Sequence, residues 1–376
     1  MEDFFVRISQ KIINQFNQRD YFWPKLDLRL SRPGYQPSGF IISITTRCNF
    51  NCPHCLRSEV DKNKSLVKDL PVSVFETVLK EGKKINFQYV SLTGGEPILH
   101  PYFRKVISLI NQYNYKLYIT SNGWLYKEYW EVIKQNPRNK FIFLSVDGTT
   151  AEVHDTVRDK QGSFERLMEA IEFYRDRRVP MIITFCVTKQ NYHQVEKLPE
   201  FCLKHGIKFI KWITVFPVTE NSSGIDSINN VLTDSERRKA LQKILNLQEK
   251  FKGRCAFLIT SSFFSVSRIL NNGLNKNRID FCPALNGRDF YVDHDGGMLF
   301  CCDLRRECRN KPLVQNFGFE KSLKITLDVA NEIRKKFLDN LLNSPQKITR
   351  ICDFCNDNVE SCLELVAEQR DKFLSG

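Results

Sequence analysis

Six short apolar runs, each ending at turn chemistry, constrain this chain more than any other feature. They are IISIT (41–45), FQYVSL (87–92) followed by TGGEP, KLYIT (116–120) ending in SNG, FIFLSV (141–146) ending in DG, MIITFCVT (181–188) ending in KQN, and IKFIKWITVF (207–216) ending in PVT. Between them lie amphipathic patterns such as PYFRKVISLINQY and SFERLMEAIEFYRDR, with apolar residues three and four apart. Strand–helix alternation implies parallel strands joined by right-handed crossovers. Mostly apolar strands suit a sheet covered on both faces. Six units fall short of the eight of a closed barrel. The expected fold is therefore α/β: an open, partial (β/α)6 TIM-like barrel, with a doubly wound sheet as the alternative. In either case the loops after the strands meet on one rim, where such folds work.

The remaining organisation follows from composition. The chain has 376 residues, 42% hydrophobic and 12% aromatic, enough for a large domain and a smaller one. Residues 1–38 form an N-terminal extension, 39–218 the barrel, 219–252 a polar linker and helix, and 253–376 a small Cys-rich C-terminal domain. Thr233 or Asp234 is placed to cap the helix that follows the linker. MEDFFVRISQ carries acids early and does not read as a signal peptide. No run approaches the roughly 18 apolar residues of a membrane span, so no membrane partner and a cytoplasmic location are expected. The net charge of +13 is spread along helices rather than concentrated in a tract with interleaved aromatics. That favours a solvated basic surface or an acidic partner, such as a leader peptide or acidic electron carrier, over nucleic acid.

Thirteen cysteines are many for a reducing compartment, and clustered thiols there point to metal or redox chemistry. Cys186, Cys202 and Cys255 are scattered and read as small buried hydrophobes. Cys48, Cys52 and Cys55 stand together in CNFNCPHC, directly after the first strand. A structural zinc site closes with four ligands, and His54 would be the fourth, strained beside Cys55. Three thiolates on a [4Fe–4S] cluster would instead leave one iron open for an external ligand. In TGGEP, Gly94 and Gly95 allow close backbone approach, and Glu96 or its neighbouring carbonyls would accept hydrogen bonds from an ammonium. Asn122 and Asn191 sit on the same expected rim, as ligand contacts or as turn closers.

CNFNCPHC after the first strand and TGGEP after the second resemble the radical S-adenosylmethionine superfamily. The resemblance implies a cluster on Cys48, Cys52 and Cys55 and chelation of its open iron by S-adenosylmethionine. Reductive cleavage then yields a 5′-deoxyadenosyl radical that abstracts hydrogen from substrate. Gly94, Gly95 and Glu96 are thereby assigned to the cofactor's amino group, and His54 and Phe50 become adenine-side or packing neighbours. SVDG (145–148), HDTVR (154–158) and GSF (162–164) are similar to segments of relatives that modify peptides. By that likeness Ser145 contacts the ribose or carboxylate, and Arg158 the carboxylate.

The second cysteine group looks like the SPASM or shorter twitch extension of that family. Cys282, Gly296 after thirteen intervening residues and Cys301 after four more match its Cys–Gly–Cys element, and Cys352 and Cys355 follow as Cys-x-x-Cys. YVDHDGGMLFCCD reads as a hairpin delivering Cys301. LVQNFGFEKSLKITL resembles the segment that follows, with Gln315 where Gly is usual. The economical count is one auxiliary [4Fe–4S] cluster on Cys282, Cys301, Cys352 and Cys355. A second would have to recruit Cys302, Cys308 and Cys362 and a ligand that is not Cys. The expectation is a radical S-adenosylmethionine enzyme that takes electrons from a reductant such as flavodoxin or ferredoxin. Its substrate is a ribosomally made precursor peptide, to be crosslinked, epimerised or oxidised. The alternative is a small-molecule dehydrogenase or epimerase acting on a sugar or aminoglycoside, and the remote one a non-enzymatic zinc module. Residues 1–38 are fewer than a leader-binding domain needs, which counts against the peptide.

Overall fold

The computed structural model describes residues 39–55, 67–136, 140–215, 230–260, 263 and 289–299. The six expected strands are all present: β1 (Gly39–Thr45), β2 (Tyr89–Gly94), β3 (Lys116–Ser121), β4 (Lys140–Ser145), β5 (Met181–Val187) and β6 (Phe209–Thr214). They lie side by side in chain order, every neighbouring pair parallel. The helices between them are α1 (Val72–Lys84), α2 (Phe103–Gln112), α3 (Tyr126–Ile133), α4 (Ala151–Arg158), α5 (Ser163–Asp176) and α6 (Leu198–Lys204). After β6 comes α7 (Asp234–Lys250). Thr233 caps it in a reciprocal box: its side chain accepts from Glu236 N–H, and the Glu236 carboxylate accepts from Thr233 N–H.

The sheet does not stop at residue 218. β7 (Ala256–Ile259) adds in parallel beyond β6, and β8 (Asp289–Val292) adds in parallel beside β1. β9 (Met298–Leu299) folds back on β8 through the turn at Asp293–Gly297, which is the hairpin the sequence suggests. Among the described residues the nine strands run β7-β6-β5-β4-β3-β2-β1-β8-β9 without closing, as in a partial barrel. Phe290 fixes β8 in place. It is 1% exposed and its ring lies 6.3 Å from Phe87, which in turn packs on Phe40. Burying one such ring stabilises by roughly 2–3 kcal/mol.

Alternation along the strands sorts side chains onto two faces. Ile42, Leu92, Ile119, Leu144, Ile183 and Trp212 face the helices, all fully buried. They meet Phe103, Val106 and Ile110 of α2 and Leu167, Ala170 and Ile171 of α5, spaced for one helical face. The opposite, inner face is more polar and half-buried, with Ser91, Tyr118, Thr120, Phe143, Ser145 and Thr184. Cys186, Cys202 and Cys255 are buried, as expected of small apolar side chains. Among the described residues no helix is long and apolar enough to cross a membrane. The N-terminal extension lies outside the described residues, as do Cys282, Cys301, Cys302, Cys308, Cys352, Cys355 and Cys362.

Candidate functional site

The loop after β1 is braced from four sides. Thr46 N–H donates to Lys68 O at 2.8 Å, and Arg47 grips the Asp69 carboxylate through Nε and Nη2. From the β2 end, Gly95 N–H donates to Thr45 O at 2.8 Å and Glu96 N–H to Arg47 O at 2.7 Å. From the β3 end, the Asn122 amide donates to Asn49 Oδ1 at 2.8 Å, and Trp124 meets Phe50 edge-on. From α4, Val157 O accepts from His54 Nδ1 at 3.2 Å.

The two glycines of TGGEP have a specific reason to be there. A Cβ on Gly95 would sit 1.8 Å from Arg47 O, and one on Gly94 2.3 Å from Thr45 O. Gly94 also has φ +132°, which L side chains rarely adopt. Their small size therefore serves the approach of the β2 loop to the cysteine loop. Glu96 is 1% exposed, and both carboxylate oxygens are engaged: Oε2 accepts from Asn122 N–H at 2.9 Å and Oε1 from the Tyr129 hydroxyl. Burial raises its pKa, against the pull of those donors. Glu96 thus ties β2 to β3 and α3.

Cys52 is buried, whereas Cys48 and Cys55 are partly exposed. Cys55 N–H donates to Cys52 O at 3.0 Å, closing the turn that brings the thiols together. Arg158 reaches in from the end of α4, its Nη1 donating to Cys52 Sγ at 3.4 Å. Its Nε lies 2.8 Å from Asp147 Oδ2, an ion pair whose N–H is not aligned for a hydrogen bond. Asp147 is the hub of this corner. Its Oδ1 accepts from Cys186 N–H at 2.9 Å, its Oδ2 lies 3.6 Å from His54 Nε2, and its own N–H donates to His154 Nδ1 at 3.2 Å. Asn191 donates to Asp147 O at 3.1 Å and to Cys186 O at 2.8 Å, and so closes its turn onto the same hub.

Electrostatics follow from burial. Desolvation, with the Glu96 charge second, pushes the Cys48 thiol up to about 12, and burial also raises Cys52. Burial works against the Arg158 charge, but Asp147 and Cys52 outweigh it and hold the guanidinium above its ordinary value. Burial lowers His54. It also lowers His154, to about 4, with Arg158 acting in the same direction.

The donor set fits an iron–sulfur cluster. A cuboidal cluster asks for one thiol per iron, set apart by the cluster's own edges. Cys48 and Cys52, whose thiol pKa values burial raises, become ligands as iron displaces the proton. The residues present to hold such a cluster are Cys48, Cys52 and Cys55.

The structure brings His54, Gly94, Gly95, Glu96, Asn122 and Arg158 around the cysteine loop. Ser145 stands at the end of β4 on the inner face, in register with Thr184. Sequence reasoning missed Asp147, Tyr129 and Asn49. The signal for Asp147 was the SVDG turn itself, read for Ser145 alone. A further motif residue turns out to join two helices: the Asp155 carboxylate of α4 accepts from Gly162 N–H, Ser163 Oγ and Phe164 N–H at 2.7–2.8 Å, at the start of α5.

The radical SAM superfamily model matches residues 42–202. The cysteine-type anaerobic sulfatase-maturating enzyme of Clostridium novyi is 25% identical over 332 residues, covering 83% of each chain. The AdoMet-dependent heme synthase of Methanosarcina barkeri is 28% identical over 262 residues, covering 69% of this chain and 71% of its own. Streptococcus suis SuiB bound to its precursor peptide SuiA has the same fold, with TM-score 0.60 at 18% identity, over 83% of this chain and 67% of that one.

Proposed function

Because residues 42–202 are a radical S-adenosylmethionine domain and the chain is a radical S-adenosylmethionine enzyme, we propose that it modifies a ribosomally made peptide by crosslinking, epimerisation or oxidation. The observation that carries this reading is the extent of the likeness to the sulfatase-maturating enzyme. It runs over 83% of both chains, well beyond residues 42–202, so the C-terminal half is shared as well. The fold likeness to a protein solved with its precursor peptide points the same way. The likeness to a heme synthase favours the small-molecule reading, but over a smaller share of the chain.

When bound, the cluster supplies the electron that cleaves S-adenosylmethionine to a 5′-deoxyadenosyl radical. The chain's own residues bind, orient and exclude water. Cys48, Cys52 and Cys55 are the ligands. Arg158 positions Cys52 and is itself held by Asp147. Gly94 and Gly95 let the β2 loop close on the cysteine loop, Glu96 and Asn122 lock that closure, and His54 fills the far side. Ser145, at the end of β4, is placed to meet the cofactor's ribose or carboxylate. Cys282, Cys301, Cys352 and Cys355 are assigned to one auxiliary [4Fe–4S] cluster. Electrons come from a flavodoxin or ferredoxin, whose acidic surface suits the +13 charge.

Anaerobic reconstitution tests the reading. The expected protein is brown, holds about eight irons per chain, and cleaves S-adenosylmethionine when reduced. Candidate precursor peptides incubated with it should show hydrogen loss, a crosslink or deuterium uptake by mass spectrometry. Modification of a sugar or aminoglycoside with no change in any peptide would overturn the peptide substrate.

A further inference from the structure

The inner face of the sheet carries a cation that pairs with no carboxylate among the described residues. Lys211 of β6 alternates with Ile210 and Trp212, which are 1% and 0% exposed on the helix-covered side. Its side chain therefore stands on the opposite face, half-buried. Among the described residues no acid pairs with it; its neighbour is the Phe143 ring, whose centroid is 6.0 Å from Nζ. The register puts Ser145 beside Thr184, Thr184 beside Lys211, and Lys211 beside Leu258. One row across four strands thus presents two hydroxyls, an ammonium and an apolar side chain that is 56% exposed. A ladder of rings adjoins it, with Tyr118 5.2 Å from Phe141 and 6.2 Å from Phe143.

The row begins at Ser145, which is assigned to the cofactor, and Lys211 stands two strand spacings or roughly 10 Å beyond it. The other residues assigned to the cofactor lie after β1, β2, β3 and β4, whereas Lys211 is on β6, five strand spacings or roughly 24 Å along the sheet from β1. A half-buried ammonium is favoured by an anion that replaces the water it has lost. Resting on the peptide reading above, we propose that Lys211, with the Thr184 hydroxyl beside it, is a subsite for an acidic side chain of the peptide substrate. The neighbouring rings and Leu258 would take the apolar residues that flank the acid.

The test uses the full-length reconstituted protein and pools of short random peptides with a fixed central Glu, Gln or Lys. Wild type should retain the Glu pool over the Gln pool by about ten-fold, the effect of one charge-assisted hydrogen bond. Lys211→Met should erase that preference, Lys211→Arg should keep it, and Lys211→Glu should transfer it to the Lys pool. Retention of all pools without preference would overturn the subsite and leave the peptide reading standing. Retention of none would overturn both, while reductive cofactor cleavage by wild type still reports separately on the radical chemistry. A loss of S-adenosylmethionine affinity in Lys211→Met equal to the loss of Glu preference would assign the ammonium to the cofactor's carboxylate and overturn the substrate assignment.

Discussion

Replacing Asp147 by Asn isolates the pair on which the geometry around Cys52 depends. Asn keeps the volume and an acceptor for Cys186 N–H, but removes the charge that faces Arg158 Nε at 2.8 Å. The guanidinium is then left with the Cys52 sulfur, 3.4 Å from Nη1, as its remaining polar contact of those described above. The two side chains are 1% and 11% exposed, so little solvent can take over. Breaking a buried pair by removing one partner costs about 3–5 kcal/mol. Asp147→Asn should fall at the lower end, because the Cys186 bond survives. Arg158→Met, which strands the carboxylate, should cost about as much. The double variant leaves no buried charge unpaired, so its loss should be smaller than the sum of the two by about 2 kcal/mol. Anaerobic urea unfolding of the cluster-free chain measures this, with fluorescence of the fully buried Trp212 among its signals. If Asp147→Asn leaves the midpoint where it was, or if the two losses simply add, Arg158 is not held by Asp147. The account of how Cys52 is positioned then fails.

Replacing Cys48, Cys52 and Cys55 together by Ala should abolish cofactor cleavage and lower iron from about eight to about four per chain; loss of all iron would refute the separate C-terminal site. Gly95→Ala places a Cβ 1.8 Å from Arg47 O, so the two loops must part. Cluster loading should fall, and stability should drop by more than about 2 kcal/mol, with helix content by circular dichroism retained. His154 is 0% exposed and its pKa is lowered to about 4 by burial first and Arg158 second. The unfolded chain therefore takes up a proton near pH 6.5 that the folded chain refuses, and stability is lost as pH falls from 6.5 toward 4. The shift corresponds to about 3 kcal/mol. His154→Gln should flatten the slope of unfolding free energy against pH across that window, and an unchanged slope would refute the assignment.

Local pattern settled a good deal. Strand and helix periodicity is written in neighbouring residues, so β1 to β6 could be read directly, as could the hairpin of β8 and β9, while the structure decided the sequential strand order over that of a doubly wound sheet. The helix cap was legible to within a residue, as Thr233 or Asp234, and the reciprocal box with Glu236 in the structure decides for Thr233. Spacing also placed Cys48, Cys52, Cys55 and TGGEP at strand ends, and hence on one rim. What tertiary structure decided is where side chains end up once strands from distant parts of the chain lie side by side. β8 reads as a strand locally, but only the buried contact of Phe290 with Phe87 shows that it extends the sheet next to β1. Arg158 carries no mark of its destination; the crossing of α4 over the end of β4 turns it onto Asp147 and Cys52. Lys211 looks like any lysine in an alternating strand. Its exposure to the inner face comes from the helices that claim Ile210 and Trp212 on the other side. Periodicity is a property of the next few residues, whereas pairing and desolvation depend on what the whole fold brings alongside.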